Sequence, residues 1–245
     1  QAVLSRFAGG VFVAGGTDLD TGAPSGAIWF SRLEEDDWHA VPVPLPLGEV
    51  LAITYSFATR ELFVLDRTEG LDAGESLVRL SAVSPEAHSF RKLGSWPHQP
   101  AWDRHWLVID RDGGLLLVSS RSSARIETAL PKKKPGKTWL CHFPPGDPAA
   151  AHTISVGGQA AAAHLGHGDT PGACAGYALA RFDVRGGAAT LDGIQTGPEP
   201  LWLPPLADAD GYTFVHLDQA GGILRRRSYA LDLEPAVAEE LGWHL

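Results

Sequence analysis

Methionine is absent from this 245-residue chain, and long apolar runs are absent as well. No segment approaches the roughly 20 apolar residues that a membrane-spanning helix needs, so we expect a soluble domain without a membrane span. Without an initiator methionine, we expect either a processed mature chain or a domain of a longer polypeptide. The compartment stays open, and removal of a leader before Gln1 would favour a secreted or extracytoplasmic location.

Cysteine is scarce, with Cys141 and Cys174 as the two examples. Their spacing fits no metal-binding or redox motif. We therefore expect two ordinary buried thiols, with a single disulfide as the alternative.

Basic residues are also in deficit, because 29 acidic side chains oppose 20 lysines and arginines and give a net charge of −9. A general nucleic-acid binder gains its affinity by neutralising phosphates with basic side chains. The charge balance therefore argues against a nucleic acid as partner.

The familiar catalytic signatures are missing too. The sequence contains no Gly-x-Ser-x-Gly elbow, no phosphate-binding Walker loop, no His-Glu-x-x-His and no dinucleotide fingerprint. The absence of these motifs favours a non-catalytic role, with an enzyme as the alternative.

Repetition is what the sequence does contain. Short apolar runs recur at intervals of about 50 residues, which is the period of kelch repeats. The runs begin at Val11, Leu62, Leu115, Ala160 and Thr213. Glycine and proline are abundant, at 28 and 18 residues, as in β proteins dense in turns.

Turn-forming residues precede most of these runs, so each unit is expected to open with a hairpin. Further strand-like segments follow, and helical patterning is nearly absent apart from residues 234–241. Four short strands per unit predict an all-β fold, a single β-propeller domain of about five four-stranded blades. The predicted blades are 1–44, 45–97, 98–156, 157–198 and 199–245.

The first unit carries a family resemblance. It reads VFVAGG at 11–16 and AIWFSRLEEDDWHAV at 27–41, with a glycine pair, a central aromatic residue and a late tryptophan, Trp38. This layout resembles a kelch repeat and implies a kelch-like β-propeller. The later units keep strands and turns but lose most of the signature.

A cluster of aromatic, histidine and charged residues at 94–106 is the candidate ligand-binding segment. In a propeller this segment links two blades at the mouth of the central channel, where tryptophans beside charged groups suit recognition of a glycan or peptide. The alternative is that these residues hold blades together. The candidates are Trp96, His98, Trp102, Asp103, Arg104, His105 and Trp106. If this segment binds the ligand, Trp102→Ala is expected to weaken binding without unfolding the domain.

A second candidate site lies in the sequence HLGHGD, where His164, His167 and Asp169 have the residue types of a divalent-metal site. His142 and His152 join it if the fold brings them near. The alternative is an ordinary polar loop, and no other cofactor is expected.

Two Asp-x-Asp-Gly sequences, at 110–113 and 208–211, superficially suggest calcium loops. The bidentate glutamate of an EF-hand does not follow at the required distance. We interpret both as hairpin turns.

Together these observations predict a non-catalytic binding or protein-interaction module whose partner is a protein or a glycan. One alternative is a metal-dependent lactonase- or hydrolase-like propeller with a cation in the channel, for which Asp103, His105 and His164 are the nearest ligands. Another is a structural subunit of a larger assembly.

Overall fold

A computed structural model provides the structure of the chain. It describes residues 2–7, 10–23, 25–32, 34, 37–43, 46–69, 76–86, 88–98, 102–121, 135–145, 151–171, 174–185, 188–197, 200–217 and 223–234. The predicted helix at 234–241 lies beyond Glu234 and so outside the described residues.

Eighteen strands and one helix follow one another along these residues. The first eight strands are β1 (Ala2–Phe7), β2 (Gly10–Gly15), β3 (Ile28–Arg32), β4 (His39–Ala40), β5 (Glu49–Ser56), β6 (Glu61–Glu69), β7 (Ser76–Ser84) and β8 (Ser89–Pro97). The next elements are β9 (Arg104–Ile109), β10 (Leu115–Ser120), β11 (Lys137–His142), β12 (His152–Gly157), α1 (Gly158–Gly166) and β13 (Thr170–Pro171). The last are β14 (Tyr177–Asp183), β15 (Thr190–Gly197), β16 (Leu201–Asp208), β17 (Gly211–Leu217) and β18 (Ile223–Ser228). The fold is therefore mostly β, and no described helix is long and apolar enough to cross a membrane.

Two four-stranded antiparallel sheets open the chain. The first sheet pairs β1 to β4 in sequence order, and the second sheet does the same with β5 to β8. Their strands fall within the predicted blades 1–44 and 45–97.

The third sheet departs from the prediction. Its strand order is β15-β14-β10-β9, so strands assigned to two separate blades, 98–156 and 157–198, form one sheet. Ser120 pairs with Tyr177 directly across β10 and β14, although 56 residues lie between them in the sequence. The run at Ala160, predicted as a strand, lies in α1, because alanine has the highest helix propensity.

The segment between β10 and β14, which we call the insert, contains a small sheet of order β12-β11-β13 together with α1. Cys141 and Cys174 form a disulfide within it. The prediction of two free thiols was therefore wrong: β11 and the chain just before β14 bring the two Cα atoms to 4.5 Å, which local spacing in the sequence does not reveal.

The fourth sheet has the order β16-β17-β18 and contains one of the two Asp-x-Asp-Gly turns. In that turn Asp208 Oδ1 accepts a hydrogen bond of 2.8 Å from the amide of Asp210. In the turn between β9 and β10, Asp110 Oδ1 accepts one of 2.9 Å from the amide of Asp112. Both sequences are hairpin turns, as predicted.

Alternation along two central strands explains how the sheets stack. In β6, Leu62 contributes to the core between the first and second sheets, whereas its neighbour Phe63 contributes to the core between the second and third. In β10, Leu115 faces the second sheet, whereas Leu116 faces the fourth. Each of these strands thus buries both of its faces.

The opening strands of the sheets lie side by side, with β1 beside β5, β5 beside β9, and β9 beside β16. Sheets stacked face to face around adjacent first strands are arranged like propeller blades. The described residues form four such sheets and a three-stranded insert, whereas the sequence predicted five four-stranded blades.

Candidate functional site

A cleft of about 620 Å³ opens where the first strands of three successive sheets meet. It is lined by Glu49, Val50, Leu51, Ala52 and Ile53 of β5, by Asp103, Arg104, His105, Trp106 and Leu107 in and just before β9, and by Trp202 and Pro204 of β16. Four of the seven predicted ligand-binding residues, Asp103 to Trp106, therefore line it.

Two of the lining strands are irregular where they border the cleft. The pairing of β5 shifts between Val50 and Ala52, which leaves Leu51 on a bulge. The pairing of β16 shifts between Leu201 and Leu203, which leaves Trp202 on another. Bulges redirect side chains and are frequent next to binding sites.

Trp202 is the partly exposed tryptophan of the cleft contributed by β16, and the repeat pattern gave no indication of it. The guanidinium carbon of Arg104 lies 5.3 Å from the centre of the Trp202 ring, a cation–π arrangement. The indole nevertheless remains 42% exposed. Asp103 is exposed at the same edge, and Glu49 forms an ion pair with Arg67.

His105 is fixed by the protein itself. Its Nε2 atom lies 3.1 Å from the carbonyl oxygen of Trp102, which can only accept, so Nε2 carries the proton. Its Nδ1 atom then accepts from the hydroxyl of Ser119 at 3.0 Å. Burial, reinforced by nearby His98, lowers the pKa of His105 to about 4, so the imidazole is neutral at pH 7.

The other three predicted ligand residues lie off the cleft lining. Trp96 and Trp102 are buried in the core between the second and third sheets. The backbone amide of His98 donates to the carbonyl of Ser76 at 2.7 Å, and burial lowers the pKa of its ring, as does nearby Arg67. Both tryptophans therefore occupy packing positions between the two sheets.

The insert holds the second candidate site. His142 at the end of β11, His164 in α1 and Asp169 just before β13 place one ligand atom each within 4.8 Å of one another. His164 and Asp169 belong to the predicted metal set. His167 does not join them, because it is exposed at the C-terminal end of α1.

Asp169 is the centre of this group. Its Oδ2 atom lies 2.8 Å from Nδ1 of His142 and 2.7 Å from Nδ1 of His164, while Oδ1 accepts from the amide of Phe143 at 2.9 Å. Burial alone would raise the pKa of the Asp169 carboxyl, but the three hydrogen bonds outweigh it and lower that pKa. The carboxylate is therefore ionised at neutral pH.

The sequence predicts His142 as a ligand only if the fold brings it near the other residues, and the structure does so at the end of β11. In the hairpin of β11 and β12, His142 pairs with His152, and their ring centres lie 5.3 Å apart. The ring of His164 lies equally close to that of His142. Two imidazoles and a carboxylate form a donor set suited to zinc and related divalent ions.

Comparison with known proteins adds little. No protein-family model matches the chain, so the kelch resemblance depends on residues 11–41 alone, and no curated protein matches it either. Among solved structures, the periplasmic gluconolactonase PpgL of Pseudomonas aeruginosa is 17% identical over 92% of this chain, with a TM-score of 0.35. The tricorn protease is 11% identical over 89% of this chain, also with a TM-score of 0.35. This chain covers 65% and 27% of those two chains, less than two thirds of either. At TM-scores this low, neither similarity bears on the activity of this chain.

Proposed function

We propose that the protein is a non-catalytic binding module of the propeller type, and that it holds a carbohydrate in the cleft between β5, β9 and β16. The observation that carries the proposal is the bulged, partly exposed indole of Trp202, oriented by Arg104 at the edge of that cleft. Flat indole faces stack on sugar rings, while carboxylates and guanidinium groups bind hydroxyls.

The size of the cleft supports a small ligand over a protein surface. Its volume of about 620 Å³ lies within the range of ordinary small-molecule sites, roughly 300–1,000 Å³. A stable protein partner would instead cover roughly 800 Å² of surface on each side.

The charges of the cleft support a polar, nearly neutral ligand. Glu49 is compensated by Arg67, and exposed Asp103 lies next to Arg104 along the chain. Side chains of both signs in one cleft offer several hydrogen-bonding groups without a strong net field.

The geometry favours binding over a metal-dependent reaction in the cleft. Both nitrogens of His105 are engaged by protein groups, so this ring offers no free ligand atom. Across the described part of the chain, Asp103, His105 and His164 do not form a group of ligand atoms within bonding reach of one ion.

The test is a screen of the purified chain against an oligosaccharide array, followed by calorimetry with the sugars that bind. Trp202→Ala should weaken binding about tenfold or more, as expected for a central aromatic anchor. Arg104→Ala should weaken it as well, since the guanidinium then no longer orients the indole.

Trp38→Ala provides the matched control, because that indole is 50% exposed and does not line the cleft. An equal loss of binding in Trp38→Ala would contradict the assignment of the cleft. Binding of peptides but of no oligosaccharide would contradict the carbohydrate assignment.

A further inference from the structure

We propose that His142, His164 and Asp169 bind a divalent ion of the zinc class, and that this ion joins three separate segments of the insert. The proposal concerns the insert alone and is independent of the ligand that the cleft binds.

The three side chains come from different elements, which is what a cross-linking ion requires. His142 ends strand β11, His164 lies in the last turn of α1, and Asp169 precedes β13. One ligand atom from each lies within 4.8 Å of the others, so small side-chain movements would bring all three to a single ion.

The local geometry suits ligation with a small adjustment. The separations between Oδ2 of Asp169 and the two Nδ1 atoms are 2.8 Å and 2.7 Å. Ligand atoms of a tetrahedral zinc ion, with bonds of about 2.0–2.1 Å, lie about 3.3 Å apart. Rotating the two partly exposed rings so that each Nδ1 moves about half an ångström from Oδ2 gives that spacing, and the same rotations must set the two imidazoles at about the same distance from each other.

The carboxylate is already oriented for this role. The amide of Phe143 donates to Oδ1 of Asp169, which leaves Oδ2 directed at both imidazoles. Hydrogen bonds of this kind orient metal-ligating carboxylates and are a usual part of such sites.

His152 lies beside this group without belonging to it. It is exposed, and its ring centre lies 5.3 Å from that of His142, so it is the nearest further imidazole in the described part of the chain. Two or three imidazoles with one carboxylate make a recognised zinc donor set.

Helix α1 is weakly held by its own packing, so a metal link would stabilise its position in the insert. Helix α1 buries one residue, Ala161, and its N-cap residue Gly157 makes no side-chain capping bond. Helices gain most of their stability from packing an apolar face, and α1 packs very little of one. A metal bond at His164 would hold α1 to β11, alongside the Cys141–Cys174 disulfide that holds β11 to the chain entering β14.

The experiment uses the whole chain, stripped with a chelator and dialysed. Zinc is titrated in by calorimetry, and cobalt(II) is titrated separately while its visible absorption is followed. We expect one ion per chain and a cobalt spectrum typical of tetrahedral coordination. His164→Gln and Asp169→Asn should each weaken zinc binding by about 100-fold or more, since even supporting residues of metal sites contribute 10–100-fold.

His167→Gln is the matched control, because this exposed histidine lies three residues after His164 and outside the group. Absence of stoichiometric zinc binding to the wild type would overturn the proposal. So would a loss in His167→Gln as large as that in His164→Gln. Circular dichroism checks folding, and if buried Asp169→Asn unfolds, His164→Gln decides the outcome, because its side chain is partly exposed.

Discussion

The imidazole of His105 accepts a hydrogen bond from Ser119 across the paired strands β9 and β10. The two residues are directly opposed in the register, and Nδ1 lies 3.0 Å from the hydroxyl oxygen. The other ring nitrogen donates to the carbonyl of Trp102. Protonating this ring would place a second donor against the Ser119 hydroxyl and a charge in a poorly solvated site.

Acid should therefore destabilise the fold through His105. Its pKa is about 4 in the folded chain, below the usual value near 6.5 of an unfolded chain. Between these two values the unfolded state binds more protons, so the free energy of unfolding falls as the pH falls from 6.5 to 4. At pH 7 the neutral His105 contributes on the order of 3 kcal/mol to the free energy of unfolding, which is lost as the pH falls through this window.

Denaturant titrations at pH 7, 5.5 and 4 measure this effect as the difference between the wild type and His105→Gln. In His105→Gln the free energy of unfolding should depend less on pH between 6.5 and 4 than it does in the wild type. His39→Gln, which alters an exposed histidine, should show the same pH dependence as the wild type. If the free energy of unfolding changes equally with pH in the wild type and in His105→Gln, the prediction is wrong.

Trp102 should behave as a core residue. Its side chain is buried, and the guanidinium carbon of Arg121 lies 5.0 Å from its ring centre. We expect Trp102→Ala to reduce the free energy of unfolding by about 3–5 kcal/mol, in contrast to the expectation from sequence that it spares the fold. Trp38→Ala, at an exposed indole, should change it by less than about 0.5 kcal/mol. Chemical denaturation compares the two, and a fully stable Trp102→Ala would refute the packing role.

The sequence was most informative where periodicity and turns agree. Four of the five apolar runs lie in second strands of sheets, namely β2, β6, β10 and β17. The strand predicted at the fifth run, which begins at Ala160, was wrong, because alanine is apolar enough to resemble a strand residue yet favours a helix. An even spacing of about 50 residues then concealed an insertion, because the described residues between β10 and β14 form the sheet β12-β11-β13 and α1, while β10 pairs directly with β14.

The candidate sites show the same limit. The composition of the segment at 94–106 predicted Arg104 as a site residue. Its aromatic partner, Trp202, lies nearly 100 residues later in the sequence, on a bulge, and was not predicted. His164 and Asp169 are close in sequence and were found, whereas His142 depended on the path of β11. Contacts between distant segments are set by sheet pairing, which no local motif encodes.

The disulfide should stabilise the chain by about 4 kcal/mol, because it closes a loop between residues 33 apart in sequence. Thiol labelling of the denatured protein should find no free thiol before reduction and two after it. A reductant should lower the unfolding midpoint of the wild type but leave that of the Cys141→Ala, Cys174→Ala double variant unchanged. Two reactive thiols in the unreduced protein would contradict the pairing.

Two aspartates in equivalent hairpin turns should differ sharply in their effect on stability. Asp110 is buried and its Oδ2 accepts from Nε of Arg181 at 2.6 Å, whereas Asp208 pairs with Arg227 at an exposed position. Asp110→Ala should reduce the free energy of unfolding by about 3 kcal/mol. It leaves Asp192 as the remaining carboxylate partner of Arg181 and removes the acceptor of the Asp112 and Gly114 amides.

Asp208→Ala should shift the unfolding midpoint far less, since solvent replaces an exposed ion pair at little cost. Asp112→Ala, at an exposed position in the same turn as Asp110, controls for disturbance of the turn itself. Denaturant unfolding of the three variants under identical conditions provides the comparison. Equal losses for Asp110→Ala and Asp208→Ala would show that the turn geometry, which the two sites share, matters more than the burial that distinguishes them.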